Sequence, residues 1–115
     1  MNDQEAWVLE ERLWLEGAHL YGTLLSPECV MAFPAPIGIM KGAAITRSLQ
    51  GAPRWSSVKM TELTIGRPDE ETIVLAYRAK GRREGANAYV AYCTSGYRFD
   101  KGCWKLVHHQ QTPVS

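Results

Sequence analysis

The sequence has 115 residues, 45% of them hydrophobic and 22% charged, which is the balance of an ordinary globular chain of one-domain length. Thirteen Lys and Arg against twelve Asp and Glu leave a formal net charge of +1. Binding to nucleic acids or to anionic membrane surfaces is typically driven by a large excess of positive charge, which this chain lacks. We therefore expect a single domain over residues 1–115, with no nucleic acid and no membrane among its partners.

The three cysteines, Cys29, Cys93 and Cys103, have no C-x-x-C spacing and cannot all pair with one another. We interpret them as reduced thiols of a cytoplasmic protein. The opening MNDQEAW has no cationic segment typical of a secretion signal, and no apolar run approaches the ~18 residues of a membrane-spanning helix. The expected location is therefore the cytoplasm.

Large aromatic residues recur every seven positions near the start of the chain: Trp7, Trp14 and Tyr21. This spacing predicts one face of a helix over 3–25. Asp3 is the expected N-cap, and Ser26-Pro27 is the expected end. Gly17 is expected to kink or divide the helix. A second, shorter helix is expected over 42–49.

Extended segments rich in β-branched and aromatic residues follow these helices. A short strand is predicted at Cys29–Phe33, before a Pro/Gly turn at 34–38. Four long strands are predicted after Pro53, at 54–65, 72–82, 89–99 and 104–112. A break in the alternation near Thr61-Glu62 predicts a β-bulge there. The predicted class is α+β, with a curved, mixed but mainly antiparallel sheet wrapped around the kinked N-terminal helix and the short second helix.

Five short strings stand within this order of elements: Leu13–Gly17, Leu24–Glu28, Arg54-Trp55, Ala76–Arg78 and Trp104–Pro113. The order and the strings resemble the nuclear transport factor 2-like superfamily of cystatin-like cones. Within it, the strings look like the small, uncharacterised branch grouped with polyketide cyclases and calmodulin-kinase association domains. The resemblance implies a cone with an internal pocket between sheet and long helix, and commonly a homodimer. It implies no single activity, because the superfamily includes isomerases, dehydratases, hydrolases and carriers.

Alternation along the strands, with charged residues taken as outward, predicts which side chains face the pocket. The predicted pocket residues are Trp14, Tyr21, Phe33, Tyr77, Cys93, Ser95, Tyr97, Trp104, His108 and Gln110. Trp104 and Leu106 set the phase of the last strand, so that His108 faces inward and His109 outward. A bulge in that strand would exchange the two histidines and replace Gln110 by Gln111.

The predicted outer face of the sheet is more apolar than a solvated sheet face usually is. Its apolar residues are Val74, Ala76, Val90, Tyr92 and Val107. We expect a second copy of the chain to cover them in a homodimer.

No metal and no cofactor are expected, because His108 and His109 are neighbours on a strand and point to opposite faces. The resemblance to ketosteroid isomerases would require an Asp before Pro in the strand after the helices, and an acid in the penultimate long strand. Here the first place reads Phe33-Pro34, and 89–99 holds no carboxylate. The Asp-Arg-Asp set of related epoxide hydrolases is also absent from the predicted inward positions.

No catalytic residue is therefore assigned, and the favoured function is a small-molecule-binding homodimeric domain with an apolar pocket. The alternative is a small lyase, isomerase or cyclase for an apolar substrate, cyclic substrates included. In it, His108 is the acid/base and Tyr77 or Ser95 orients a carbonyl. Glu62, if it faced inward, would strengthen acid/base catalysis. A Cys93 nucleophile paired with His108 and a pure interaction module are less favoured readings.

Overall fold

In the computed structural model, which describes residues 1–114, three helices pack against a curled six-stranded sheet. The helices are α1 (Asp3–Leu15), α2 (Ala18–Leu24) and α3 (Ala43–Leu49), and the strands are β1 (Leu25–Ala32), β2 (Ile39–Lys41), β3 (Ser57–Asp69), β4 (Thr72–Arg82), β5 (Tyr89–Asp100) and β6 (Cys103–Pro113). The strand order is β2-β1-β6-β5-β4-β3, and every pairing is antiparallel except that of β1 with β6. The predicted α+β class and mixed, mainly antiparallel sheet are confirmed.

The helical segment expected over 3–25 is divided into two helices at Glu16-Gly17, one of the two outcomes expected at Gly17. Its N-cap is Asn2 and not Asp3. The Asn2 side chain accepts from the Glu5 amide at 2.8 Å, and the Glu5 carboxylate accepts from the Asn2 amide at 2.9 Å. This reciprocal capping box satisfies amides that the first turn would otherwise leave unpaired.

Arg54 caps the other end of α1 from a distant part of the chain. Its Nη2 donates to the carbonyls of Leu13 at 2.7 Å and Trp14 at 2.9 Å, and its Nε donates to the Glu16 carbonyl at 2.9 Å. The last carbonyls of a helix have no partner within the helix. The contact therefore stabilises the corner between α1 and α2 and fixes the Arg54 guanidinium beside it.

Some strand limits differ from expectation. The first strand begins at Leu25 rather than Cys29, and the unpredicted β2 pairs with its end. The strand expected at 54–65 begins at Ser57 and continues to Asp69. None of the described helices has the length and apolar character needed to cross a bilayer.

The bulge predicted near Thr61-Glu62 is confirmed by a shift in the β3–β4 pairing between Thr61 and Thr64. Glu62 adopts a positive φ of 54° there, and its side chain is exposed. The acid/base route that depended on an inward Glu62 therefore has no support in the fold.

A second bulge lies in β6. Tyr97 of β5 pairs with Leu106, whereas the preceding Gly96 pairs with His108, so Val107 is an extra residue. A Cβ atom at Gly96 would lie 3.5 Å from the His108 Cβ and 3.6 Å from a Val107 methyl. Val107 and His108 thus both lie over Gly96 on the outer face, and the next residue, His109, turns inward.

Candidate functional site

A cavity of about 290 Å³ lies between the helices and the inner face of the sheet. Most of its lining is apolar, including Leu13, Trp14, Met31, Phe33, Ile45 and Leu106. Its polar lining comes from Tyr21, Ser48, Arg54, Arg83, His109 and Gln111. A mainly apolar concave surface with a few polar groups is the usual composition of a small-molecule site.

The ten predicted pocket residues fall into three groups. Three of them line the cavity: Trp14, Tyr21 and Phe33. Four are buried in the core behind its wall: Tyr77, Cys93, Ser95 and Tyr97. The remaining three do not line it: Trp104, His108 and Gln110. Trp104 instead packs its ring on Phe99, with 5.5 Å between the centroids.

The assignment of the two histidines was wrong. His109 lines the cavity and is only 6% exposed, whereas the Nε2 atom of His108 contacts the Thr94 hydroxyl at 3.3 Å. Gln111 likewise lines the cavity in place of Gln110. The β6 bulge shifts the alternation by one residue, and an isolated glycine within a strand, here Gly96, is the sequence signal for such a bulge.

Sequence reasoning missed a fully buried carboxylate, Glu10 of α1. The hydroxyls of Tyr77 and Tyr97 each donate to it at 2.5 Å, and the Ser95 hydroxyl donates at 2.6 Å. Trp14 Nε1 in turn donates to the Tyr77 oxygen at 2.9 Å. A signal was present, because Glu10 lies on the same helical face as Trp7 and Trp14 at i+3 and i−4.

The hydrogen bonds around His109 determine which of its ring nitrogens carries the proton. Ser95 has one hydroxyl proton and donates it to Glu10, so its 2.6 Å contact with His109 must use a proton on Nδ1. The other ring nitrogen, Nε2, then carries a lone pair and accepts from the Gln111 amide nitrogen at 3.1 Å. The His109 ring that lines the cavity is thus held by hydrogen bonds at both nitrogens.

Burial and charge act on the titratable groups of this network. Burial lowers the pKa of His109; the nearby Glu10 opposes the shift and His108 adds to it, so the imidazole is neutral near pH 7. Burial and the charge of Glu10 raise the pKa of Tyr77 and of Tyr97 well above the usual value. Both phenols therefore keep the protons that they donate.

The cysteines do not fit a nucleophile. Burial raises the pKa of Cys29 and of Cys93 to about 12, so both are thiols near neutral pH. Cys93 is buried on the inner face, and His108 lies on the outer face. The two side chains considered as a nucleophile and its base are thus on opposite sides of the sheet.

Two arginines form a second polar region of the cavity. The Arg83 guanidinium lies over the Trp55 ring, 3.9 Å from its centroid, and Arg54 lies 5.9 Å from the Tyr21 ring centroid. Gly81 leaves the space for Trp55, because a Cβ atom there would be 2.8 Å from a carbon of its ring. Burial lowers the pKa of Arg54; Tyr21 opposes this shift and the positive charge of Arg83 reinforces it.

Within residues 1–114, no three His, Cys, Asp or Glu side chains are grouped closely enough to hold a metal ion. The Glu10–His109 contact, at 3.6 Å, involves only two such groups. The expected absence of a metal and of a cofactor stays a prediction.

No protein-family model matches this sequence, and no curated protein is significantly similar to it. Solved structures are similar in fold. A ketosteroid isomerase-like protein from Parabacteroides distasonis has a TM-score of 0.79 at 17% identity, over 96% of this chain and 86% of its own. The association domain of C. elegans CaMKII has a TM-score of 0.75 at 16% identity, over 95% and 90%.

A third structure, from Rhodospirillum rubrum, is described as a nuclear transport factor 2-like protein of unknown function in nutrient uptake. It has a TM-score of 0.77 at 22% identity, over 94% of this chain and 97% of its own. Identities this low relate the folds and not the activities. The helices, the curled mixed sheet and the cavity between them therefore give this chain the nuclear transport factor 2-like fold, as the resemblance of its sequence strings predicted.

Proposed function

We propose that this chain binds a small, mainly apolar molecule in the cavity between its helices and sheet. The observation that carries the proposal is the cavity itself, which combines an apolar wall with the inward His109 and Gln111. Close-packed protein cores contain few spaces larger than a water molecule. A cavity of about 290 Å³ beside these polar groups therefore supports ligand binding over a purely structural role. His109 replaces His108 as the polar centre of the proposed site.

Native mass spectrometry of the purified chain, followed by extraction and identification of copurifying small molecules, tests this proposal. We expect a bound molecule that is retained by His108→Ala and weakened roughly tenfold or more by His109→Ala, because the latter removes a buried polar partner. The two variants are matched, since they remove adjacent imidazoles from opposite faces of one strand. Loss of binding in His108→Ala with retention in His109→Ala would contradict the proposal.

We also propose that the domain forms a homodimer through the outer face of its sheet. On that face Val74 is 41% exposed and Tyr92 is 49% exposed, and the half-buried Ala76, Val90 and Val107 lie beside them. Two similar solved structures are described as an association domain and as a hub homology domain. Burying an apolar face of this kind would stabilise self-association.

Sedimentation tests the homodimer. We expect a dimer at micromolar concentration, and Tyr92→Glu to give monomers because it introduces a charge into the apolar contact. Val8→Glu is the control, since Val8 is an equally exposed apolar residue (54%) but lies on α1. A wild-type monomer, or a Tyr92→Glu dimer of unchanged affinity, would count against it.

A second candidate function is acid/base catalysis on an apolar carbonyl compound, favoured by the Glu10–Ser95–His109 hydrogen bonds. His109 Nε2 would take a proton from carbon next to the carbonyl, the C–H electron pair forming an enolate, and would later return a proton. Tyr77 and Ser95, expected to orient the carbonyl, donate to Glu10 instead. For this step the Gln111 amide, which donates to His109 Nε2 at 3.1 Å, would have to swing to the carbonyl oxygen and free the base.

Deuterium incorporation into small apolar ketones in D2O, followed by NMR, tests this second function. Exchange should be accelerated by the wild type and by His108→Ala, and not by His109→Ala. Equal rates with and without the wild-type protein would reject catalysis and leave ligand binding as the function.

A further inference from the structure

The two ends of the cavity differ in charge. Arg83 is exposed and Arg54 is half-buried, whereas His109 is almost fully buried, so the arginines mark the outer end. Both arginines are among the lining residues, and no Asp or Glu is. The outer end therefore carries two positive charges, close enough that Arg83 perturbs Arg54, with no negative charge in the cavity wall.

Neither arginine has a carboxylate partner elsewhere in residues 1–114. The ion pairs in that range join Arg12 to Glu16, Lys41 to Glu28, Arg67 to Asp3 and His109 to Glu10. Arg54 donates to main-chain carbonyls through Nε and Nη2. Arg83 contacts the face of Trp55. Two adjacent like charges without a counter-ion attract an anion from solution.

The rest of the cavity is apolar, and its size limits what such an anion can be. The volume of about 290 Å³ is at the lower end of the ~300–1,000 Å³ typical of small-molecule sites. A small organic molecule therefore fits this space. Inorganic anions would leave the apolar part of the cavity empty, so the matching chemistry is an acidic group on a hydrocarbon body.

We infer that the ligand of this cavity is an apolar carboxylate, whose acid group binds Arg83 and Arg54 at the outer end while its hydrocarbon part packs between Phe33, Leu106 and Trp14. This inference rests on the proposed function and adds the class of ligand to it. An arginine guanidinium suits a carboxylate, because its N–H groups match the two oxygens in a planar pair of hydrogen bonds.

Isothermal titration of the full chain with two matched probe pairs tests the inference: phenylacetate with phenylacetamide, and hexanoate with hexanamide. The members of each pair have the same size and differ in charge. We expect each carboxylate to bind at least roughly tenfold more tightly than its amide, since hydrogen bonds to charged groups exceed neutral ones by about this factor.

Variants at two adjacent arginines test whether Arg83 is the positive charge that binds the carboxylate. Arg83→Gln should remove most of the preference for the carboxylate, and Arg83→Lys should keep much of it. Arg82→Gln is the matched control, because Arg82 is exposed, ends β4 directly before Arg83 and does not line the cavity. It should change the affinity less than about twofold, as an exposed charge contributes little.

The outcomes separate the two proposals. Equal binding of carboxylate and amide overturns the inference and supports the proposed binding function. A carboxylate preference that survives Arg83→Gln, or that Arg82→Gln weakens equally, also overturns it. Binding of no probe by wild-type protein that is folded and free of copurified ligand rejects both proposals.

Discussion

The charges at the inner and outer ends of the cavity are compensated in different ways. Behind the inner wall of the cavity, Glu10 is fully buried and receives three hydroxyl donors from the protein. At the outer end, Arg54 and Arg83 have no carboxylate partner within residues 1–114. A charge removed from water must be compensated by the protein itself, whereas a charge near solvent can be left for a ligand. The inner charge is thus compensated within the fold, whereas the outer charges are the ones that the proposed carboxylate would compensate.

The largest effect should follow from removing the inner carboxylate. Glu10→Ala leaves the hydroxyls of Tyr77, Tyr97 and Ser95 without an acceptor in the core, and should lower the free energy of unfolding by about 3–5 kcal/mol. Urea unfolding measures this. The control is Glu11→Ala, which removes an adjacent exposed carboxylate and should change stability by less than about 0.5 kcal/mol. Equal losses of stability in the two variants would contradict a structural role for the buried carboxylate.

A smaller loss of stability is expected from disturbing the packing of Trp55, which lies beneath Arg83 in the outer region. Gly81→Ala places a methyl group against Trp55 and Trp14, with the nearest ring carbon at 2.8 Å. We expect a loss of about 1–3 kcal/mol, typical of an overpacked site, and weaker ligand binding as Trp55 shifts beneath Arg83. Gly66→Ala, on a strand glycine whose nearest neighbour lies at 4.0 Å, is the matched control. Thermal unfolding that ranks Gly66→Ala below Gly81→Ala in stability would refute this.

The inner region should also make stability depend on pH. Burial lowers the pKa of His109 below its ordinary value of 6.5, so the unfolded chain binds the proton more readily. The free energy of unfolding should therefore fall as the pH drops from 7 to 5, by at most about 1.4 kcal/mol per pH unit from this residue. Urea unfolding across this range should lose that slope in His109→Gln and keep it in His108→Gln. If the free energy of unfolding of His109→Gln kept the same dependence on pH, that dependence would come from another residue.

The smallest effect on stability should come from the outer charge. Arg83→Gln removes an exposed cation–π contact with Trp55 and should lower the free energy of unfolding by about 0.5–1 kcal/mol. This variant is expected to impair carboxylate binding far more than folding. Calorimetric unfolding would decide the point, because a loss comparable to that of Glu10→Ala would give Arg83 a structural role.

Sequence reasoning located the cavity better than it located the groups within it. Trp14, Tyr21 and Phe33 were identified because their apolar character and spacing are local properties. Glu10 escaped notice because its three donors are 67, 85 and 87 residues further along the chain. A charged residue on a helix is normally solvated, and only the approach of β4 and β5 reveals this one as buried.

The sequence by itself determined the helix and strand types, the first bulge and the resemblance to the fold, because periodicity, turn residues and caps act over a few residues. Only the tertiary structure decided which histidine faces the cavity. Pairing with β5 opposite Gly96 adds Val107 to β6 and shifts His109 inward. Strand alternation has a period of two, so one extra residue, accommodated by a partner strand, reverses every side chain that follows it.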